Sequence, residues 1–135
     1  MCYNDFKGEK ATNCKVTIIS TSADFESRIT SDGLLKIQPS GCEVNYSLDG
    51  DFCTLAVKDN VVTQKRTGGQ NILMTFSQGE TSFCEIGTGG LCGGFEIFTE
   101  SLKFTKGKGG VKISLEYISR ADGERTNLTF IAALV

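Results

Sequence analysis

The stretch that decides the fold is residues 42–66, CEVNYSLDGDFCTLAVKDNVVTQKR. Successive side chains of a strand point to opposite faces, so its first part places on one face Cys42, Val44, Tyr46 and Leu48. Tight turns follow at Asp49-Gly50 and Asp59-Asn60, where residues that tolerate positive φ match the twist of the flanking strands. The stretch predicts three antiparallel strands in a meander.

The same alternation extends along the chain, and further strands are predicted at residues 14–22, 34–37, 72–76, 81–86, 95–105, 111–117 and 125–135. The 95–105 strand is expected to bend near Glu100-Ser101. Residues 23–30 predict either a short strand or one helical turn, and Ser31-Asp32-Gly33 predicts a turn. A meander with one apolar face hides that face by closing on itself. We therefore predict an all-β protein, a single antiparallel up-and-down β-barrel of about 8–10 strands, over a two-sheet sandwich.

Length and composition indicate one globular domain. The 135 residues are 39% hydrophobic and 22% charged, which suits one core. We expect residues 1–135 to form that domain, with residues 1–13 as a flexible or edge extension. Fourteen basic and sixteen acidic residues give a formal charge of −2, so neither nucleic acid nor a membrane is expected as a partner. A monomer or weak homodimer is predicted.

Cysteine usage and the N-terminal sequence bear on the compartment. Six cysteines stand at positions 2, 14, 42, 53, 84 and 92, which in a secreted chain suggests disulfides. Residues 1–7 contain no apolar run typical of a signal sequence, and we therefore expect a cytoplasmic protein with packed thiols. The alternative, a mature secreted fragment, is favoured by the sequons Asn45-Tyr46-Ser47 and Asn127-Leu128-Thr129.

The sequence contains no histidine, which removes imidazole bases, Ser-His and Cys-His pairs and histidine metal ligands. Cys84 and Cys92 flank a glycine-rich stretch without a second zinc knuckle. We therefore predict no enzyme activity, no metal and no cofactor.

The glycine-rich stretch is GTGGLCGG, residues 87–94. Glycines let backbone N–H groups approach an anion, but the following residues 95–98 look like a strand rather than the helix that a phosphate loop requires. We expect a flexible connection or a bulge at the barrel rim.

Charged side chains divide between turns and strands. Solvated turn positions are expected for Asp49, Asp51, Asp59, Glu80 and Asp122. Arg28, Lys65 and Arg66 are cations that could pair across the sheet with the strand residues Glu96, Glu100 and Glu116. Arg66 ends a strand beside Gly68-Gly69, which leaves a surface position and a buried or ligand-facing one as alternatives.

Several motifs carry a family resemblance. They are VVTQKRTGG at 61–69, LMTF at 73–76 with Gly79, the glycine-rich stretch before Phe95, and GVKISLEY at 110–117. In these the chain resembles the YwiB-like family of small bacterial proteins, a domain of unknown function with a calycin-type, lipocalin-like β-barrel. The resemblance implies a cytoplasmic barrel whose interior could hold a small ligand, with Arg66 and Gly68 as matched motif positions. The extra cysteines and the doubled glycines around Leu91-Cys92 depart from that pattern.

Two functions are open. The first is a binding barrel for a small, partly apolar molecule, motivated by the expected inward set Val44, Tyr46, Met74, Phe76, Phe104, Ile113, Leu115, Tyr117 and Phe130. Its candidate ligand-binding residues are Arg66, Tyr46, Met74, Phe76 and Tyr117. The alternative is a protein-interaction or structural module with a filled barrel.

Overall fold

The computed structural model describes residues 10–135 and contains ten strands in this part of the chain. They are β1 (Ala11–Ser22), β2 (Phe25–Gln38), β3 (Gly41–Leu48), β4 (Asp51–Lys58), β5 (Val61–Thr67), β6 (Asn71–Ser77), β7 (Thr81–Thr88), β8 (Leu91–Gly107), β9 (Gly110–Ser119) and β10 (Arg125–Leu134). Over the described residues, no helix is long and apolar enough to cross a membrane.

The strands form a closed antiparallel barrel in which each strand pairs with its neighbours in sequence. β1 and β10 close the sheet, from Cys14 opposite Leu134 to Thr21 opposite Asn127. Closure pairs the two strands that would otherwise be sheet edges. The predicted up-and-down barrel is confirmed and is consistent with a calycin-like fold. Of the predicted N-terminal extension, residues 1–9 lie outside the described part, whereas 11–13 belong to β1.

The core lies inside the barrel and is made by alternate residues of the strands. The expected inward residues that are buried are Val44, Tyr46, Phe76, Ile113, Leu115 and Phe130. The remaining three, Met74, Phe104 and Tyr117, are partly buried and pack against this core. Alternation in the sequence thus identified the inner face correctly, because burial of a sheet face follows the period of two.

β2 is longer than predicted, because it is one continuous strand over Phe25–Gln38 that follows the turn at Ala23-Asp24. Of the two alternatives for residues 23–30, the strand is confirmed and the helical turn is wrong, and the predicted turn at Ser31-Asp32-Gly33 is also wrong. β1 pairs along its whole length with residues 25–36 of β2 and places Gly33 opposite Cys14. A Cβ at Gly33 would lie 2.8 Å from the Asn45 carbonyl oxygen, so this glycine allows close packing rather than a turn.

The glycine-rich stretch also differs from its prediction. β7 continues to Thr88 and β8 starts at Leu91 in an unbroken register, so residues 87–94 form a regular β-hairpin rather than a flexible connection or a bulge. Its turn is Gly89-Gly90, with φ of 57° and 86°, values that favour glycine. The predicted bend near Glu100-Ser101 is confirmed by a shift of the β8–β9 register between Thr99 and Ser101.

The turns alternate between the two ends of the barrel. We call the upper end the one that carries the β1–β2, β3–β4, β5–β6, β7–β8 and β9–β10 turns. The predicted tight turn at Asp49-Gly50 is at the upper end, and that at Asp59-Asn60 is at the other; all four residues have positive φ. The residues discussed below gather at the upper end.

Candidate functional site

A concavity of about 450 Å³ lies across β5–β8 near the upper end. We call it the outer groove, because the strand register turns most of its lining side chains away from the core. These are Lys65, Thr67, Asn71, Leu73, Phe83, Glu85 and Cys92. Arg66, Ile72, Ile86 and Gly93 alternate with them along the strands. The groove is a feature of the barrel wall rather than of the barrel interior.

Glycines make this part of the wall concave. Gly87 and Gly94 occupy outward positions of β7 and β8, opposite Cys92 and Glu85 respectively. Neither glycine supplies a side chain to fill the space above the sheet. A Cβ at Gly94 would overlap the Cys84 carbonyl oxygen and come within 2.8 Å of the Phe83 ring. The Phe83 ring therefore borders the groove beside bare backbone.

The groove combines an apolar floor with two opposite charges. Leu73 stands in the middle of a cross-strand row, paired on one side with Lys65 and on the other with Glu85. Neighbouring strands are about 4.8 Å apart, which places the backbones that carry these charges roughly 10 Å apart. Phe83 is 52% exposed at one border. Such a surface suits a small molecule with an apolar body and a polar or ionic group.

Interrupted pairing accompanies the groove. β6 and β7 pair only from Asn71 opposite Gly87 to Leu73 opposite Glu85. Beyond that point the Ser82 hydroxyl donates a hydrogen bond to the Thr75 carbonyl oxygen. A side chain thus replaces part of the ladder between these strands.

Arg66 turns inward at the upper end and forms an ion pair with Asp51. The distance from Arg66 Nε to Asp51 Oδ2 is 2.7 Å, and the two side chains are 22% and 10% exposed. The other carboxylate oxygen accepts a hydrogen bond from the Gly69 N–H at 2.9 Å. The Arg66 guanidinium, together with the N–H groups of Gly69 and Gln70, lowers the pKa of the Asp51 carboxyl.

This arrangement explains the matched motif positions. Gly68 has a φ of 143°, and a Cβ there would overlap Oδ1 of Asp51. The arginine of the motif therefore binds the carboxylate, and the glycine leaves space for it. The expectation that Asp51 is a solvated turn residue is wrong, because the carboxylate joins the start of β4 to the β5–β6 turn. Arg66 lies between the two alternatives, because its side chain is 22% exposed and lines the outer groove while its guanidinium pairs with the buried Asp51 carboxylate.

The other predicted ligand-binding residues lie within the barrel. Tyr46 packs on Phe130 with ring centroids 5.7 Å apart, and Phe76 packs on Tyr117 at 5.3 Å. Met74 packs against the same core. These side chains occupy the barrel interior themselves, and their role as ligand contacts stays a prediction.

Polar groups extend from the ion pair into the interior. Cys53 lies opposite both Arg66 on β5 and Tyr46 on β3. The Gln64 amide donates to the Tyr46 hydroxyl at 3.3 Å. Burial raises the pKa of Tyr46 to about 12, so this phenol is neutral at ordinary pH and acts as a hydrogen-bonding group.

The thiols do not form a chemical centre within residues 10–135. Cys14, Cys42, Cys53 and Cys84 are buried and free, and Cys92 is exposed. Burial raises the pKa of the Cys42 thiol to about 11, which disfavours the reactive thiolate. No group of three cysteine, aspartate or glutamate side chains in the described part could hold a metal ion.

The strand carboxylates pair with a different cation from the three that were predicted. Glu100 and Glu116 both pair with Arg125, at 2.9 Å and 3.0 Å from its Nε, and not with Arg28, Lys65 or Arg66. The pairing follows the β8–β9–β10 register, in which the bulge shifts Glu100 relative to β9.

Sequence reasoning missed the groove residues other than Arg66. The sequence places Leu73, Phe83 and Glu85 in predicted strands and gives no local sign of a binding site there. The available signal was the spacing of Gly87 and Gly94 within the glycine-rich stretch, which shows the groove only once the β7–β8 register is known.

These features define a class of protein, a small closed β-barrel with a groove on its outer wall and an internal ion pair at one end. The chain belongs to the family described as a domain of unknown function (DUF1934), whose model matches residues 43–130. The predicted YwiB-like membership is confirmed.

One solved structure supports the fold along nearly the whole chain. The crystal structure of the ywiB protein from Bacillus subtilis superposes with a TM-score of 0.83, covering 95% of this chain and 96% of that one. The two are 15% identical in sequence, so the likeness concerns the fold. No curated protein matches the chain.

Proposed function

We propose that the protein binds a small, partly apolar molecule without transforming it, and that the outer groove is the binding site. The observation that carries this proposal is the concavity of about 450 Å³ with an apolar floor between Lys65 and Glu85. Ligand pockets are typically of this size, mostly apolar, with a few polar groups that fix orientation. The interior is a less favourable site because Phe76, Tyr117 and their neighbours already fill it.

A non-enzymatic role is supported by the available side chains. The sequence has no histidine, and the buried thiols of Cys42 and Cys53 have pKa values raised by desolvation. Asp51, the most enclosed carboxylate in the described residues, is neutralised by Arg66 and by backbone donors. None of these groups is therefore activated as a general base or a nucleophile.

The binding proposal is tested by filling the groove. Gly87→Leu places a side chain at an outward position where the nearest heavy atom to a Cβ, the Leu91 carbonyl oxygen, is 3.5 Å away. Gly107→Leu is the matched control, since it also adds a leucine to a strand glycine with open space. The probe is the apolar anionic dye anilinonaphthalene sulfonate, followed by its fluorescence on the folded protein.

We expect the dye to bind the native chain, to bind Gly87→Leu about tenfold or more weakly, and to bind Gly107→Leu unchanged. Tyr46→Phe, a change inside the barrel, should leave dye binding as it is. Absence of binding to the native chain, or undiminished binding to Gly87→Leu, contradicts the proposal. Loss of binding in Tyr46→Phe alone would instead support an interior site.

We also propose a cytoplasmic location. Five cysteines are free in residues 10–135, four of them in the core, as suits a compartment that keeps thiols reduced. Thiol labelling of protein taken directly from cells tests this. Labelling of Cys14, Cys42, Cys53 and Cys84 after denaturation, without prior reduction, is expected; recovery of these thiols only after reduction would contradict it.

A further inference from the structure

Strands of unequal height leave one stretch of sheet edge open at the upper end. The last pair between β2 and β3 is Gly33 opposite Tyr46, and β3 ends at Leu48. β2 nevertheless continues to Phe25, paired with β1 on its other side. Residues 25–30, which we call the β2 overhang, therefore have no strand partner on the β3 side among the described residues.

An open edge of this kind is a template for strand addition. Its backbone N–H and C=O groups point sideways and can bond to a further strand. Phe25 in the overhang is 62% exposed, and Glu26 and Arg28 are also exposed. Among residues 10–135, neither Glu26 nor Arg28 forms an ion pair.

The sequence of the overhang is complementary to itself. Residues 25–29 read Phe-Glu-Ser-Arg-Ile. If two copies run antiparallel with a two-fold axis at Ser27, Glu26 of each lies opposite Arg28 of the other. The same register places Phe25 opposite Ile29. Directly opposed side chains of unlike charge, and apolar pairs, both stabilise antiparallel strands.

The geometry of the barrel permits this pairing. In an antiparallel arrangement the body of each barrel lies beyond the tip of the other copy's β1–β2 hairpin, the turn at Ala23-Asp24. By the register that sets Gly33 opposite Tyr46, Leu48 is level with Ser31 and the β3–β4 turn is level with residues 29–30, so the turn borders the lower end of the overhang and leaves residues 25–28 open. Ile29 packs against the core, so the new apolar pairs would continue the inner face and the ion pairs the outer one.

We propose that two copies of this chain associate through their β2 overhangs into a weak, symmetric dimer. The pairing extends the sheet of one barrel into that of the other, with Ser27 on the two-fold axis. A second open edge, residues 91–95 of β8 beyond its last β9 partner Ile97, is a poorer candidate. It contains Gly93 and Gly94 and no charge that could fix a register.

Charge reversal tests the register. Sedimentation equilibrium from micromolar to sub-millimolar concentration should give twice the monomer mass for the native chain at the upper concentrations. Arg28→Glu and Glu26→Arg each place like charges opposite one another, and each should weaken self-association about tenfold or more. The double variant Glu26→Arg/Arg28→Glu restores both pairs and should dimerise again, whereas Leu91→Glu on the β8 edge should have no effect.

Mixing the two single variants gives a sharper result. Arg28→Glu carries two acidic side chains on its overhang and Glu26→Arg two basic ones, so the mixture should form a heterodimer although neither variant associates alone. A native chain that stays monomeric throughout overturns the proposal. So does a dimer that survives both single reversals, or one that Leu91→Glu dissociates. Unchanged circular dichroism and Tm values establish that the variants are folded.

Cross-linking provides a measurement that does not depend on charge. The two Ser27 residues lie on the axis, and directly opposed Cβ atoms are about 4.5–5.5 Å apart. In a chain with Cys2→Ser and Cys92→Ser, Ser27→Cys should give a disulfide-linked dimer under mild oxidation. Thr30→Cys in the same background, whose two thiols would be far from each other, should not. Equal cross-linking of both variants contradicts the proposed register.

Discussion

The walls formed by β3–β5 and by β6–β8 both consist of antiparallel strands, but they differ in how completely those strands pair. β3, β4 and β5 pair along their whole lengths and carry the fully buried Val44, Leu55 and Val62. β6 and β7 pair only at Asn71 to Leu73, and glycines interrupt the outer face of β7 and β8. We therefore expect the first wall to contribute more to stability than the second, whose outer face carries the groove.

The ion pair of Asp51 and Arg66 lies where these walls meet. It fastens the start of β4 to the β5–β6 turn, from which the groove-bearing wall begins. A partly buried ion pair with hydrogen bonds to the backbone stabilises this end of the barrel, where fewer apolar side chains are available near the turns. The comparison of the two walls therefore makes specific predictions about where substitutions destabilise the protein.

The largest effect is expected from Leu55→Ala in the ordered wall. Leu55 is completely buried, and the cavity left by the truncation should lower the free energy of unfolding by about 2–5 kcal/mol. Leu73→Ala, the matched change in the groove, should cost about 1 kcal/mol or less because Leu73 is only half-buried. Urea denaturation of both variants measures the difference, and equal costs would remove the distinction between the walls.

Gly68→Ala should come next. Its positive φ and the overlap of a Cβ with the Asp51 carboxylate should lower the free energy of unfolding by about 1–3 kcal/mol. Gly69→Ala is the control, since a Cβ there lies 3.7 Å from Asp51 Oδ1, an ordinary contact. If the two variants unfold at the same urea concentration, the explanation of the Arg66-x-Gly68 motif given above is incorrect.

A smaller effect is expected from pH. Arg66 and the backbone donors lower the pKa of Asp51 in the folded protein, so folding is stabilised above the ordinary aspartate pKa of about 4. This stabilisation is lost as the pH falls through the lowered value. Asp51→Asn should thus have a lower Tm than the native chain at neutral pH and lose less on acidification.

The measurement is Tm between about pH 7 and pH 2. Asp32→Asn is the control, because the Asp32 side chain is 91% exposed and its pairing with Lys15 is a surface contact. Parallel pH curves for the native chain and Asp51→Asn would show that the ion pair does not contribute to acid stability.

The smallest effect is expected from Phe83→Ala. Although aromatic, Phe83 is 52% exposed and faces away from the core, so its removal should change the free energy of unfolding by only about 0.5 kcal/mol. Dye binding should nevertheless weaken, because the ring borders the outer groove. A strongly reduced stability would indicate that the groove wall is part of the core after all.

Much of the fold could be predicted from the sequence because its determinants are local. Alternation of period two identified the inward residues, and Asp49-Gly50 and Asp59-Asn60 specified their turns. The wrong predictions concern glycines whose role depends on residues that are distant in the sequence. Gly33 resembled a turn residue but makes room for the Asn45 carbonyl, and the glycines at 93 and 94 resembled a loop although they lie within β8.

The candidate site was less predictable for the same reason. Arg66 was singled out, but its partner Asp51 was assigned to solvent, because nothing in either residue's immediate sequence indicates that the β4–β5 register brings them together. The groove depends on Leu73, Glu85 and Gly94, which belong to three strands and become neighbours only through pairing.

By itself the sequence determined that this chain is an up-and-down meander that closes into a barrel, because hydrophobic period and turn chemistry act over a few residues. Only the tertiary structure decided that Arg66 pairs with Asp51, that Gly87 and Gly94 leave space for the outer groove, and that β2 extends beyond β3. Those features depend on the register and stagger of paired strands, which are set by the packing of the whole barrel.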